Sequence, residues 1–108
     1  MAIVKGKLIK DVIKEIKDCN KVELPTPKLL EMFDYMEKKK MFVSNYEEKH
    51  KKNLGKDIKK LTYRDIRTEL TYIYEEDKKH GGIILMAYEE GILIELLERM
   101  YKLQLAMV

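Results

Sequence analysis

The chain has 108 residues, of which 45% are apolar and 38% charged, and its formal net charge is +3. That length favours one core and a single domain, 1–108, and the apolar share excludes wholesale disorder. The most apolar stretch holds at most six apolar residues in a row, Ile83 to Tyr88, against about 20 for a bilayer span, so no membrane association is expected. Cys19 is the only cysteine. It cannot form an internal disulfide, on which small secreted domains usually lean, so a cytoplasmic location is expected. The apolar start, Met1 to Val4, is interrupted at once by Lys5, Lys7 and Lys10, which does not suit a cleavable leader.

In chain order, Leu8, Ile9, Val12, Ile13 and Ile16 recur at three- and four-residue steps and predict a first helix from about Lys7 to Cys19,. Asn20 is its expected terminator. Thr26-Pro27 reads as an N-cap followed by proline at the first helical position. The second helix then buries Leu29, Leu30, Phe33 and Met36, with Lys38, Lys39 and Lys40 at its carbonyl end,. Met41-Phe42-Val43 is a short strand or a return to the core. Residues 44–56 are the least apolar section, with a turn expected at Asn53-Leu54-Gly55.

Thr62 and Asp65 have the spacing of a capping box, and Leu61 and Ile66 that of a hydrophobic staple,. They predict a third long helix from Tyr63 to about Asp77, stopped by His80-Gly81-Gly82. Two structures fit Ile83 to Leu105. One is a continuous helix with Leu85, Ile92, Leu96, Met100 and Leu103 on its apolar stripe. The other is a β-hairpin at 83–96 turning on Glu89-Glu90-Gly91, followed by a helix from about Leu97. The continuous helix is preferred. The expected fold is therefore mainly α, a small bundle of four to five helices with a possible short hairpin at 83–96; a winged-helix-like α+β fold is the alternative.

Few residues suggest chemistry. Glu47-x-x-His50 has the spacing of carboxylate–histidine metal sites, and Asp77-x-x-His80 echoes it. Lysines surround both histidines and repel a cation, so solvated surface histidines and no metal are expected. Glu95-x-x-Glu98, with Glu75, Glu76 and Asp77, is read as a solvated acidic face rather than a magnesium site. Glu89 needs a Lys or Tyr partner if that segment is helical. Cys19 is read as a small buried hydrophobe. No glycine-rich phosphate loop is present. No catalytic residue, cofactor or small-molecule substrate is expected.

Charge distribution says more. Residues 38–67 hold nine lysines and two arginines against four acids, a local charge of +7, while residues 68–108 carry −4. Lys49, Lys51, Lys52, Lys56, Lys59, Lys60, Arg64 and Arg67 crowd into nineteen residues. Asp57–Leu61 followed by the helix capped at Thr62 has a helix–turn–helix flavour, although almost no turn separates the two. A hairpin at 83–96 would supply the wing. The functional expectation is a small non-enzymatic regulatory protein that binds nucleic acid (DNA or RNA) through residues 49–67; the plain alternative for that stretch is a solvated lysine-rich face. A protein-interaction module is the second expectation, because 15 of the 23 residues from Ile83 to Leu105 are apolar. Ile92, Leu96, Met100 and Leu103 would then face a protein partner or a second copy in a homodimer.

Overall fold

The computed structural model describes residues 3–107; Met1 and Ala2, in the apolar start noted above, and the terminal Val108 lie outside the described residues. Six α-helices follow one another: α1 (Gly6–Asp18), α2 (Pro27–Lys38), α3 (Tyr46–Asn53), α4 (Tyr63–His80), α5 (Ile83–Glu89) and α6 (Ile92–Met107). Single 3-10 turns, Lys21–Glu23 and Ile58–Lys60, interrupt the links before α2 and α4. No strand occurs among the described residues. The chain is mainly α, with more helices than expected and neither the hairpin nor a wing. None of these helices is long and apolar enough to cross a membrane.

Local signals explain most boundaries. The Thr26 hydroxyl accepts a hydrogen bond from the Leu29 N–H at 3.3 Å, with Pro27 in the first helical position. On α2 the buried stripe is Leu29, Met32, Phe33 and Met36. Leu30, expected inside, lies a quarter-turn off that stripe and is exposed,. At α4 the capping box is complete: the Thr62 hydroxyl accepts from the Asp65 N–H at 3.1 Å, and the Asp65 carboxylate accepts from the Thr62 N–H at 3.3 Å. Leu61 and Ile66 are both buried beside it. Asn20 caps the 3-10 turn after α1, its side chain accepting from the Val22 N–H.

The segment 83–105 is neither one helix nor a hairpin. Residue Gly91 adopts φ +76°, a left-handed conformation that ends α5 and lets α6 start in a new direction. The Gly91 N–H closes the turn on the Tyr88 carbonyl at 3.1 Å. The left-handed glycine expected of the hairpin is present, but between two helices.

Buried side chains from every helix except α3 join one apolar cluster. Helix α6 is its hub, packing against α1, α4, α5 and the 3-10 turn at Ile58–Lys60. It buries Leu93, Leu96, Leu97 and Met100 completely or nearly so. This corrects the expected partner surface: Leu96 and Met100 are 1% and 0% exposed, and Ile92 and Leu103 pack half-buried against the same core. Most of the apolar excess of the last third is consumed internally, because α6 has packed helices on several sides; Met86, Leu105 and Met107 stay exposed.

Gln104 is one of five buried polar residues among those described, with Thr26, Asn53, Thr68 and Thr71. The Gln104 side-chain amide donates to the Val4 carbonyl at 2.7 Å, while its oxygen accepts from the Val4 N–H at 3.0 Å and the Tyr63 hydroxyl at 2.7 Å. It ties the segment before α1 and the first residue of α4 to the end of α6.

The α5–α6 junction gives a test. Replacing Gly91 by alanine in a continuous helix would stabilise it by about 1 kcal/mol. At φ +76°, with no atom within 4 Å to clash, the Gly91→Ala variant instead loses about 1 kcal/mol through backbone strain alone. Urea unfolding of the two proteins distinguishes the signs.

Candidate nucleic-acid interface

The basic segment begins where the chain leaves α2. Lys40 takes φ +55° and the chain then crosses to α4. There the Arg67 Nε donates to the Met41 carbonyl at 2.9 Å, and the Val43 N–H donates to the Thr71 hydroxyl at 3.1 Å. Met41 and Val43 are buried and Phe42 stacks on Tyr74 at 5.0 Å. Residues 41–43 are thus a return to the core, not a strand. Asn45, at φ +57°, turns the chain into α3.

Sequence periodicity missed α3 because its contact with α4 is polar. Tyr46, His50 and Asn53, spaced i, i+4 and i+7, face α4, which runs antiparallel to it. The Tyr46 hydroxyl donates to Glu76 at 2.8 Å. The His50 Nδ1 meets Glu69 at 2.8 Å, the Asn53 amide donates to the other Glu69 oxygen at 3.1 Å, and the His50 ring stacks on Tyr72 at 3.7 Å. His50 is therefore not the solvated surface histidine expected; it is a half-buried clasp between the helices. His80 is exposed, 3.8 Å from Glu76. Lys79 joins the far end, pairing with Glu47 and Glu76. The Tyr46 hydroxyl, and after it Lys79, hold the Glu76 carboxyl below its ordinary range,.

This geometry overturns the helix–turn–helix. Its expected first helix, Asp57–Leu61, is one 3-10 turn capped by Asp57, and residues 54–62 separate α3 from α4. The α3–α4 pair is an antiparallel helical hairpin, not the near-perpendicular crossing that places a recognition helix in a groove.

The eight basic residues stand as follows. Lys49 on α3 and Arg64 and Arg67 on α4 converge on a depression of about 290 Å3, whose walls also include Phe42, Val43, Ser44 and Tyr63. Its charged lining is wholly cationic. Lys51 lines a different depression, with Glu47 and Glu76, and Lys59 a third, with Glu95 and Glu98. Lys52, Lys56 and Lys60 are exposed. The eight do not share one spot; three do. None of the eight forms an ion pair among the described residues, whereas Lys17, Lys21, Lys28, Lys38 and Lys79 all do. Arg67 spends one donor of five on the Met41 carbonyl,.

The other residues of chemical interest are accounted for. Glu89 pairs with Lys21 at 2.7 Å, but it is exposed at the end of α5 and not among the apolar residues, so the pair is a surface contact. Cys19 is half-buried and its thiol donates to the Ile16 carbonyl. No group of three His, Cys, Asp or Glu side chains able to hold a metal occurs among the described residues.

The α3 clamp carries a pH dependence with a defined sign. A carboxyl held low in the folded state adds stability above its unfolded value near 4.5 and loses it as pH falls through the folded value,. Thermal melts from pH 6 to pH 3 (about the carboxylate range) should show the wild type losing more than Tyr46→Phe, because the variant lacks the largest cause of the depression. Comparison with known families, characterised proteins and solved structures finds no family model, no protein and no structure that matches this chain.

Proposed function

We propose that this is a small non-enzymatic, cytoplasmic regulatory protein that binds nucleic acid, with Lys49, Arg64 and Arg67 as the principal phosphate seat. One observation carries the reading: eight cations lie in residues 49–67 with no carboxylate paired to any of them among the described residues, and three of them line one depression without an acid. Like charges held together repel. A phosphate among them relieves that repulsion and releases the counterions condensed on the nucleic acid, which supplies most of the affinity. Arginines at the first turn of α4 add forked donors that match phosphate oxygens. Contacts of this kind position a backbone without reading bases, so weak sequence preference is expected.

The test is affinity against salt, measured by fluorescence anisotropy on a DNA duplex and on its single strands. Loss of two phosphate contacts in Lys49→Gln/Arg64→Gln lowers the slope of log affinity against log salt by about 1.8 on the duplex and about 1.4 on the single strands. Both residues lie outside the apolar core, so the variant stays folded. An unchanged slope removes the site.

A second reading, a protein partner or a homodimer, keeps support from one place. Leu105 and Met107, near the end of α6, are 58% and 43% exposed. Of the stripe Ile92, Leu96, Met100 and Leu103, the middle two are fully inside and the outer two are half-buried against the same core. Light scattering over a concentration series should show a rise in mass for wild type that Leu105→Ser/Met107→Ser abolishes; a constant monomer mass ends this reading.

A further inference from the structure

The phosphate seat is not the end of the positive surface. A groove of about 470 Å3 between α1 and α6 is lined by Lys10, Lys14 and Lys17 with Ile13, Tyr101 and Glu98. Lys10, Lys14 and Lys17 repeat at steps of four and three, so they form one stripe along α1. Glu98 also lines the neighbouring depression, which contains Lys59, Arg99 and Lys102. A shared wall residue makes the two concavities adjacent. Together they hold six cations against two carboxylates, Glu95 and Glu98, and Glu98 is already paired with Lys17 at 3.5 Å. Arg99 then donates to the Leu61 carbonyl at 3.1 Å, directly before the cap of α4 and three residues before Arg64. The positive band therefore runs from α1 across α6 and the Ile58–Lys60 turn to the N-terminal end of α4, and on to Lys49.

The packing order gives its span. Helix α3 packs on α4, α4 on α6 and α6 on α1. Three interaxial steps of 8–10 Å add up to about 27 Å along the packing path, an upper limit to the separation of the two ends, within the molecule's own extents of 32, 29 and 27 Å. No single phosphate reaches across the two helices between α3 and α1. A continuous phosphodiester chain does, and a single strand bends to follow a curved surface.

We infer that the α1–α6 groove is a second nucleic-acid contact, so that one strand runs from Lys49 and Arg64 to Lys14 and Lys102; this rests on the nucleic-acid reading above. Lys14 and Lys102 are exposed and form no ion pair or cation–π contact among the described residues; Lys14 also borders a depression with Glu15, Asp18 and Glu23 on its other side.

The test uses a 16-nucleotide oligothymidylate (about the upper site size of a small single-strand-binding domain), with affinity measured against salt and stoichiometry by titration at high concentration. Lys14→Gln/Lys102→Gln is expected to lower the salt slope by about 1.4, the same loss as Lys49→Gln/Arg64→Gln, and the fourfold variant by about 2.8. Wild type should bind one strand per protein. A Lys14→Gln/Lys102→Gln slope equal to wild type, with the Lys49→Gln/Arg64→Gln slope still reduced, overturns the second contact and leaves the first intact. Two strands bound per protein likewise overturns a single continuous path. Slopes unchanged in both variants overturn the nucleic-acid reading itself.

Discussion

The Gln104 amide ties the two ends of this fold together. It packs beside the apolar core cluster and joins residues 100 positions apart in sequence. Its oxygen uses both lone pairs, one on the Val4 N–H and one on the Tyr63 hydroxyl, while its nitrogen holds the Val4 carbonyl. An apolar residue of the same size would strand the buried Val4 N–H and carbonyl, each costing about 1–3 kcal/mol,. The register of α6 against α4 is thereby fixed at the first turn of α4. Arg64 and Arg67 follow from that turn, so the buried amide indirectly sets where the surface cations stand.

A second set of polar contacts decides which cations remain open. Around the depression at Lys49, Arg64 and Arg67, the nearest acids on α4 are already committed. Asp65 folds back onto the Thr62 N–H. Glu69 divides its two oxygens between His50 and Asn53. Asp57 caps its own 3-10 turn, and Glu47 leans toward Lys79 at the opposite end of α3. Local caps thus engage Asp57 and Asp65, and the contacts that hold α3 against α4 engage Glu69 and Glu47. Helix α3 has almost no apolar material with which to dock, so this diversion of acids is structural before it is functional.

Much of this was legible in the residues, and the failures have physical causes. Thr26-Pro27 and the Thr62–Asp65 box placed two helix starts correctly because capping is a local bond between near neighbours. The stripes of α1 and α4 follow from apolar periodicity. Helix α3 was not legible by that rule, since its buried side carries Tyr46, His50 and Asn53; an i, i+4, i+7 pattern of hydrogen-bonding side chains was the available signal. The 83–105 segment failed differently. Apolar residues take most of the circumference of α6, leaving only the side of Glu95, Glu98 and Lys102 to solvent, which marks an element packed by several neighbours. An apolar count suggests a partner for Leu96 and Met100, and the core claims them. Gln104, polar within an apolar tail, gave no sequence sign of its three bonds.

The candidate site was legible as a list but not as a shape. Composition located eight cations, yet a helix distributes consecutive residues around its axis, so Lys49, Lys51 and Lys52 cannot face one way. Across the α3–α4 hairpin only Lys49 turns toward the arginines, while Lys51 lines the depression on the other flank with Glu47 and Glu76. The cations that extend the positive surface come instead from α1 and α6, far away in sequence, and are invisible to any count over a window. Charge density along a chain and charge density on a surface are different quantities. For a bundle of short helices, only the packing order converts one into the other, and here it joins both ends of the chain to its basic middle.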